Sequence, residues 1–175
     1  MGLTVLLGGA RSGKSELATR LASATEGPVS VVVTAEARDE EMTERIRRHR
    51  EVRPVGWTTV EAPLGLASAL GDVSAGAFVV LDCLSLWVSN VMEAGIDGER
   101  IVKEAREIAT GLAHRDAAAV VISNEVGLGI VPVNALARRY RDTLGRVNAT
   151  FVREAEHAYF VVAGKALALE DVDLS

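Results

Sequence analysis

The chain has one cysteine, four prolines and seven aromatic residues in 175 positions, and no surplus of positive charge. A lone Cys83 forms no internal disulfide and has no partners at zinc-ligand spacing, which excludes a disulfide-stapled scaffold and a zinc module. Its simplest reading is a small buried residue. Lys and Arg number 19 against 24 Asp and Glu, a formal net charge of −5. That sign argues against broad nucleic-acid binding, which depends on cations neutralising many phosphates. No apolar run approaches the roughly 20 residues of a membrane-spanning helix, and no basic region precedes the first hydrophobic stretch. The expectation is a protein without a membrane span or targeting segment, cytoplasmic in location. Its 49% hydrophobic and 25% charged content suits a folded chain, and the length suits one domain over 1–175.

What is present is an alternation. Strand-like apolar segments at 3–7 (LTVLL), 29–34 (VSVVVT), 78–83 (FVVLDC), 117–123 (AAAVVIS) and 158–164 (AYFVVAG) are separated by helix-patterned stretches. The helices are expected over 15–24, 39–52, 84–92, 99–113 and 133–155. Strands that are apolar throughout suit a mostly parallel central sheet with helices on both faces, an α/β fold. Ligands of such sheets bind beyond the carboxyl ends of the strands. This selects Gly8 to Ser15, then Thr34, Ala35 and Glu36, then Glu61, Asp82, and the loop Asn124 to Pro132.

The stretch GGARSGKS, residues Gly8, Gly9, Ala10, Arg11, Ser12, Gly13, Lys14 and Ser15, matches G-x-x-x-x-G-K-[ST] in full between a strand and a helix. Glycines let the backbone curl until its N–H groups face a phosphate, Lys14 reaches the β and γ oxygens, and Ser15 coordinates Mg²⁺. The fold expected is therefore that of a P-loop NTPase, binding ATP or GTP. Asp82, ending its strand, is where a second carboxylate for the metal would stand. Its alternative use is to cap the helix that begins near Leu84. A phosphate loop alone does not choose a reaction.

Residues 39–54, DEEMTERIRRHREVRP, begin acidic and end basic, as suits the dipole of a helix stopped before Pro54. Met42, Ile46 and His49 share one stripe, so His49 looks inward among arginines. A packed core histidine is one reading. The other is an imidazole that attacks phosphorus while Arg48, Arg50 and Arg53, which stay protonated, hold phosphate charge. His114 and His157 lack such surroundings and read as structural or solvated.

These residues resemble the bifunctional adenosylcobinamide kinase/adenosylcobinamide-phosphate guanylyltransferases of cobalamin synthesis. The likeness runs through GGARSGKS, RRHREVRPVGWTTVEAP, LDCLSLWVSN, SNEVGLGIVPVNALARRYRDTLGRVN and VVAGKAL. It implies that the terminal phosphate of ATP or GTP passes to adenosylcobinamide, with Lys14 acting at the transferred group. It further implies that His49 takes GMP from GTP and hands it to adenosylcobinamide phosphate, and that the protein is a homotrimer. Two departures stand out: Ala149, where related sequences usually carry Gln, and Asp82, where some carry Glu. Either Asp82 or Glu61 could accept the N1 and N2 protons of guanine. The loop NEVGLGIVP reads as a shaped lid, with Glu125 and Gly127 as its sensitive positions. Arg138, Arg139, Arg141 and Arg146 suit a phosphate, a neighbouring subunit or a solvated helix face. Two other readings stay open: a small-molecule kinase in which His49 is structural, and a nucleotide-driven switch. The absence of an Asn-Lys-x-Asp pattern weighs against the latter.

Overall fold

The computed structural model describes residues 2–51 and 53–171. In chain order the elements are β1 (Leu3–Gly8), α1 (Lys14–Ser23), β2 (Val29–Val33), α2 (Glu40–Glu51), β3 (Thr58–Glu61), α3 (Leu66–Gly71), β4 (Phe78–Asp82), α4 (Leu84–Glu93), α5 (Gly98–Ala113), β5 (Ala119–Asn124), α6 (Ala135–Glu154), β6 (His157–Val162) and β7 (Lys165–Ala168). They form one seven-stranded sheet in the order β3-β2-β4-β5-β1-β6-β7. Every neighbouring pair is parallel except β6 and β7.

Period-two alternation divides the buried strands between two cores. On one face Leu3, Val5, Leu7, Val79 and Leu81 pack with Leu66 of α3, Trp87 of α4, Ile101 of α5 and Phe151 of α6. On the other, Leu6, Val31, Val33, Phe78, Val80 and Ile122 meet α1, whose Ala18 and Ala22 let the helix lie close. Both faces are covered, which explains strands with no polar side.

The alternation located five strands, and the structure adds β3, α3 and β7. β3 and β7 are almost wholly exposed, so neither carries a burial pattern. Only pairing to β2 and β6 makes them strands. α2 starts where Asp39 Oδ1 accepts from Met42 N at 2.7 Å, and the expected last residue Val52 lies outside the described residues. The expected start of α6 at Val133 moves to Ala135, because Asn134 caps it through the N–H groups of Leu136 and Ala137.

Candidate nucleotide site

The loop that joins β1 to α1 is built from backbone. Gly8 has φ 155° and Gly13 φ 104°, with Arg11 at φ 56° between them. A Cβ on Gly8 would lie 2.2 Å from Val161 O and 2.9 Å from Ser12 Oγ, so the position has room for hydrogen only. Gly164, in the turn between β6 and β7, donates from its N–H to Ser12 O at 2.8 Å and holds the loop from behind. Lys14 curls across the interior, its Nζ donating to Gly8 O at 2.8 Å, Gly9 O at 2.7 Å and Ser12 Oγ at 3.4 Å. The N-cap of α1 is Gly13, with no side-chain cap. The first N–H groups of α1 remain directed at the space an anion would fill.

A second feature lies along the same sheet edge: a cavity of about 650 Å³ between α2 and the ends of β2, β3 and β4. Met42 and Ile46 form its apolar side, and His49, Arg50, Arg53, Glu61 and Asp82 its polar one. His49 Nδ1 is 3.6 Å from Asp82 Oδ2, inside ion-pair range but longer than a hydrogen bond. The His49 side chain is 38% exposed and that of Asp82 20%, so the ring is neither a core histidine nor a free one. Arg50 pairs with Glu61. Arg53 donates to Thr59 Oγ1 at 3.0 Å. Burial pushes Arg53 below the usual arginine value, against the pull of Asp82 and with a further push from Arg50.

Residues 4–169 match the family described as cobinamide kinase / cobinamide phosphate guanyltransferase. The chain is also 41% identical, over 167 residues, to the bifunctional adenosylcobalamin biosynthesis protein CobP of Pseudomonas aeruginosa, across 95% of this chain and 96% of that one. The chain belongs to this family. A second relative, the bifunctional adenosylcobalamin biosynthesis protein CobU of Salmonella typhimurium, is 34% identical over 177 residues, covering 93% of this chain and 96% of its own. Among solved structures, a prototypical ATPase from the type III secretion system of pathogenic bacteria has a TM-score of 0.57 at 8% identity, with 95% of this chain and 56% of that one aligned. That likeness is one of fold, and the fold is P-loop NTPase-like.

Within the family frame the predicted residues fall into two groups. Gly8 to Ser15 form the loop, while Ala35, Glu36, His49, Arg50, Arg53, Glu61 and Asp82 line the cavity, to which no loop residue contributes. Thr34 belongs to neither: it is fully buried, its Oγ1 donating to Cys83 O at 2.7 Å and accepting from Cys83 N at 3.0 Å. Arg48 does not line the cavity: it is bound to Glu44, whose carboxyl Arg47 and then Arg48 hold down at about 2. Asp82 does not cap α4, whose N-cap is Cys83 without a side-chain bond. Asp82 is separated from the loop strand by β5, about 10 Å at two interstrand spacings.

Sequence reasoning missed Asn90, which holds the cavity wall together. Its Nδ2 donates to Thr34 O at 2.8 Å and Pro63 O at 3.1 Å, and its Oδ1 accepts from Arg38 at 3.1 Å. A polar amide in the apolar helix LSLWVSNVME was the available signal.

Proposed function

We propose that this chain, acting as one unit over 1–175, phosphorylates adenosylcobinamide with ATP or GTP and then transfers GMP from GTP to adenosylcobinamide phosphate through His49. The product is adenosyl-GDP-cobinamide. The observation that carries the reading is the approach of His49 to Asp82 in an arginine-lined cavity, in a chain whose phosphate loop is complete. Family membership and the names of the relatives support both reactions.

In the first reaction Lys14 would leave its loop carbonyls for the β and γ oxygens, while the N–H groups at the start of α1 neutralise charge. Bound Mg²⁺ would supply positive charge against that of the phosphates. Ser15 is the donor suited to that hard ion. Among the described residues no group of three His, Cys, Asp or Glu could hold a metal alone, so the ion would arrive with the nucleotide.

In the second reaction an imidazole nitrogen of His49 attacks the α-phosphorus, the bond to the bridging oxygen breaks, and pyrophosphate leaves with the electron pair. A cobinamide phosphate oxygen then displaces the ring nitrogen and restores free His49. Nδ1 lies on the Asp82 side of the ring, and Nε2 is the nitrogen assigned to the attack. Arg50 and Arg53 would carry the phosphate charge, and Glu36 and Ala35 would border the nucleotide. Three uses are open to Asp82: orienting His49, accepting the guanine N1 and N2 protons in competition with Glu61, and ordering the metal's water shell. A homotrimer and a cytoplasmic location complete the proposal, and sedimentation equilibrium tests the first. Among the described residues no helix is long and apolar enough to cross a membrane.

The test is incubation with GTP carrying ³²P at the α position, followed by intact-protein mass measurement. The expected result is one GMP per chain, lost in mild acid and stable in alkali, with no retention of γ label. His49→Ala should lose the label and guanylyl transfer while keeping cobinamide phosphorylation. Undiminished α labelling of His49→Ala would overturn the histidine assignment.

A further inference from the structure

The segment between β5 and α6 carries aliphatic side chains that the core does not use. Leu128 is 79% exposed, Ile130 96%, Val133 98% and Val131 59%, and Leu136 in the first turn of α6 is also 59% exposed. Apolar side chains gathered on one exposed segment mark a contact surface, where single scattered ones do not. The segment is also held in shape. Glu125 accepts from Gly127 N, and Arg138 Nη1 donates to Pro132 O at 2.9 Å and Val133 O at 2.5 Å. At its foot, Asn148 Nδ2 donates to Asn124 O at 3.1 Å. A loop ordered by its polar groups while it displays its apolar ones is preorganised for a partner. Its position relates it to the nucleotide site: Glu125 N donates to Gly8 O at 3.1 Å, so the segment leaves the sheet beside the first residue of the phosphate loop.

We propose that residues 126–133 seat the corrin ring of cobinamide during phosphoryl transfer. The inference rests on the function proposed above. The acceptor hydroxyl must reach a γ-phosphate at Lys14 while the bulky ring that carries it stays outside the loop, against whatever borders it. One border is the β6–β7 turn, already tied to Ser12 through Gly164. The other is this segment. A corrin ring edged with methyl groups and amide arms calls for aliphatic contact interleaved with peptide groups. Val126, Leu128 and Ile130 alternate with Gly127 and Gly129, and a Cβ on Gly129 would meet nothing within 4 Å, so the peptide backbone there is approachable.

The test is the double variant Leu128→Ser/Ile130→Ser, whose exposed positions leave folding unaffected. Its KM for cobinamide should rise about 10-fold, while its KM for ATP, its His49 labelling and its melting temperature stay at wild-type values. A spectroscopic titration through the corrin absorption should show the same loss without turnover. An unchanged KM and titration, with wild-type enzyme active on cobinamide, overturns the seat and leaves the proposed function standing. Dissociation of a wild-type oligomer, with both KM values rising together, overturns it in favour of an interface between copies. Wild-type protein inactive on cobinamide removes the proposed function and the seat with it.

Discussion

The phosphate loop and the histidine cavity share one edge of one sheet, yet they are made of different material. The loop is backbone, preset by glycines and tied from behind by Gly164, with Ser12 and Lys14 only 7% and 5% exposed. The cavity is side chains, and its α2 wall has no buried residue among those described. Its charged side chains meet in a surface ion pair, Arg50–Glu61, which contributes little to stability and can be exchanged for phosphate. The difference separates two demands. A loop that binds a constant group, the polyphosphate, profits from rigidity, whereas a nucleophile that must gain and lose GMP needs a wall able to rearrange.

Lys14→Ala should show the largest effect, a fall in cobinamide phosphorylation of roughly 100 to 1,000-fold, with the fold intact. Steady-state rates and thermal melting check it. His49 labelling should fall far less if the two regions act on separate nucleotides; an equal fall would show that one bound GTP spans both.

Asp82→Asn decides to which region that carboxylate belongs. A fall of about 10 to 100-fold in labelling, as expected for loss of a charged partner, with phosphoryl transfer changed less, places it with His49 or guanine. The opposite pattern, dependent on Mg²⁺ concentration, places it with the metal.

Stability should distinguish the regions next. Gly8→Ala drives a Cβ into Val161 O and should cost about 2 kcal/mol in urea unfolding. Gly9→Ala, with nothing within 4 Å, and His49→Ala, in the cavity wall, should both be near neutral. If His49→Ala destabilises as much as Gly8→Ala, the ring is a packing element.

The smallest effect concerns pH. Glu44, held at about 2 by Arg47 and Arg48 against an ordinary 4.5, has a lowered folded-state value. Its contribution is therefore present above about pH 4.5 and lost as pH falls through about 2. The gap in urea midpoint between wild type and Glu44→Gln should be small and should shrink over that interval, since the group is exposed. A gap that widens on acidification would contradict the pairing.

Legibility followed the same division. Gly8 to Ser15 could be read directly, because eight consecutive residues build that loop and no distant partner is needed to name it. The buried strands were legible because both faces are covered. His49 was placed correctly on a stripe with Met42 and Ile46, but Arg48, counted with Arg50 and Arg53, is bound to Glu44 and does not line the cavity. Thr34 was chosen for its place after a strand, and its hydroxyl is committed to Cys83.

The sequence by itself determined the family, the parallel α/β plan and the phosphate loop, since each depends on local spacing or on burial along a single element. Only the tertiary structure decided that His49 meets Asp82, that Asn90 joins Thr34 to Pro63, and that Gly164 backs Ser12. These pairs lie tens to more than a hundred residues apart in the chain. Strand order brings them to one edge, and strand order is set by how the helices cover the two sheet faces, which no short stretch of residues encodes.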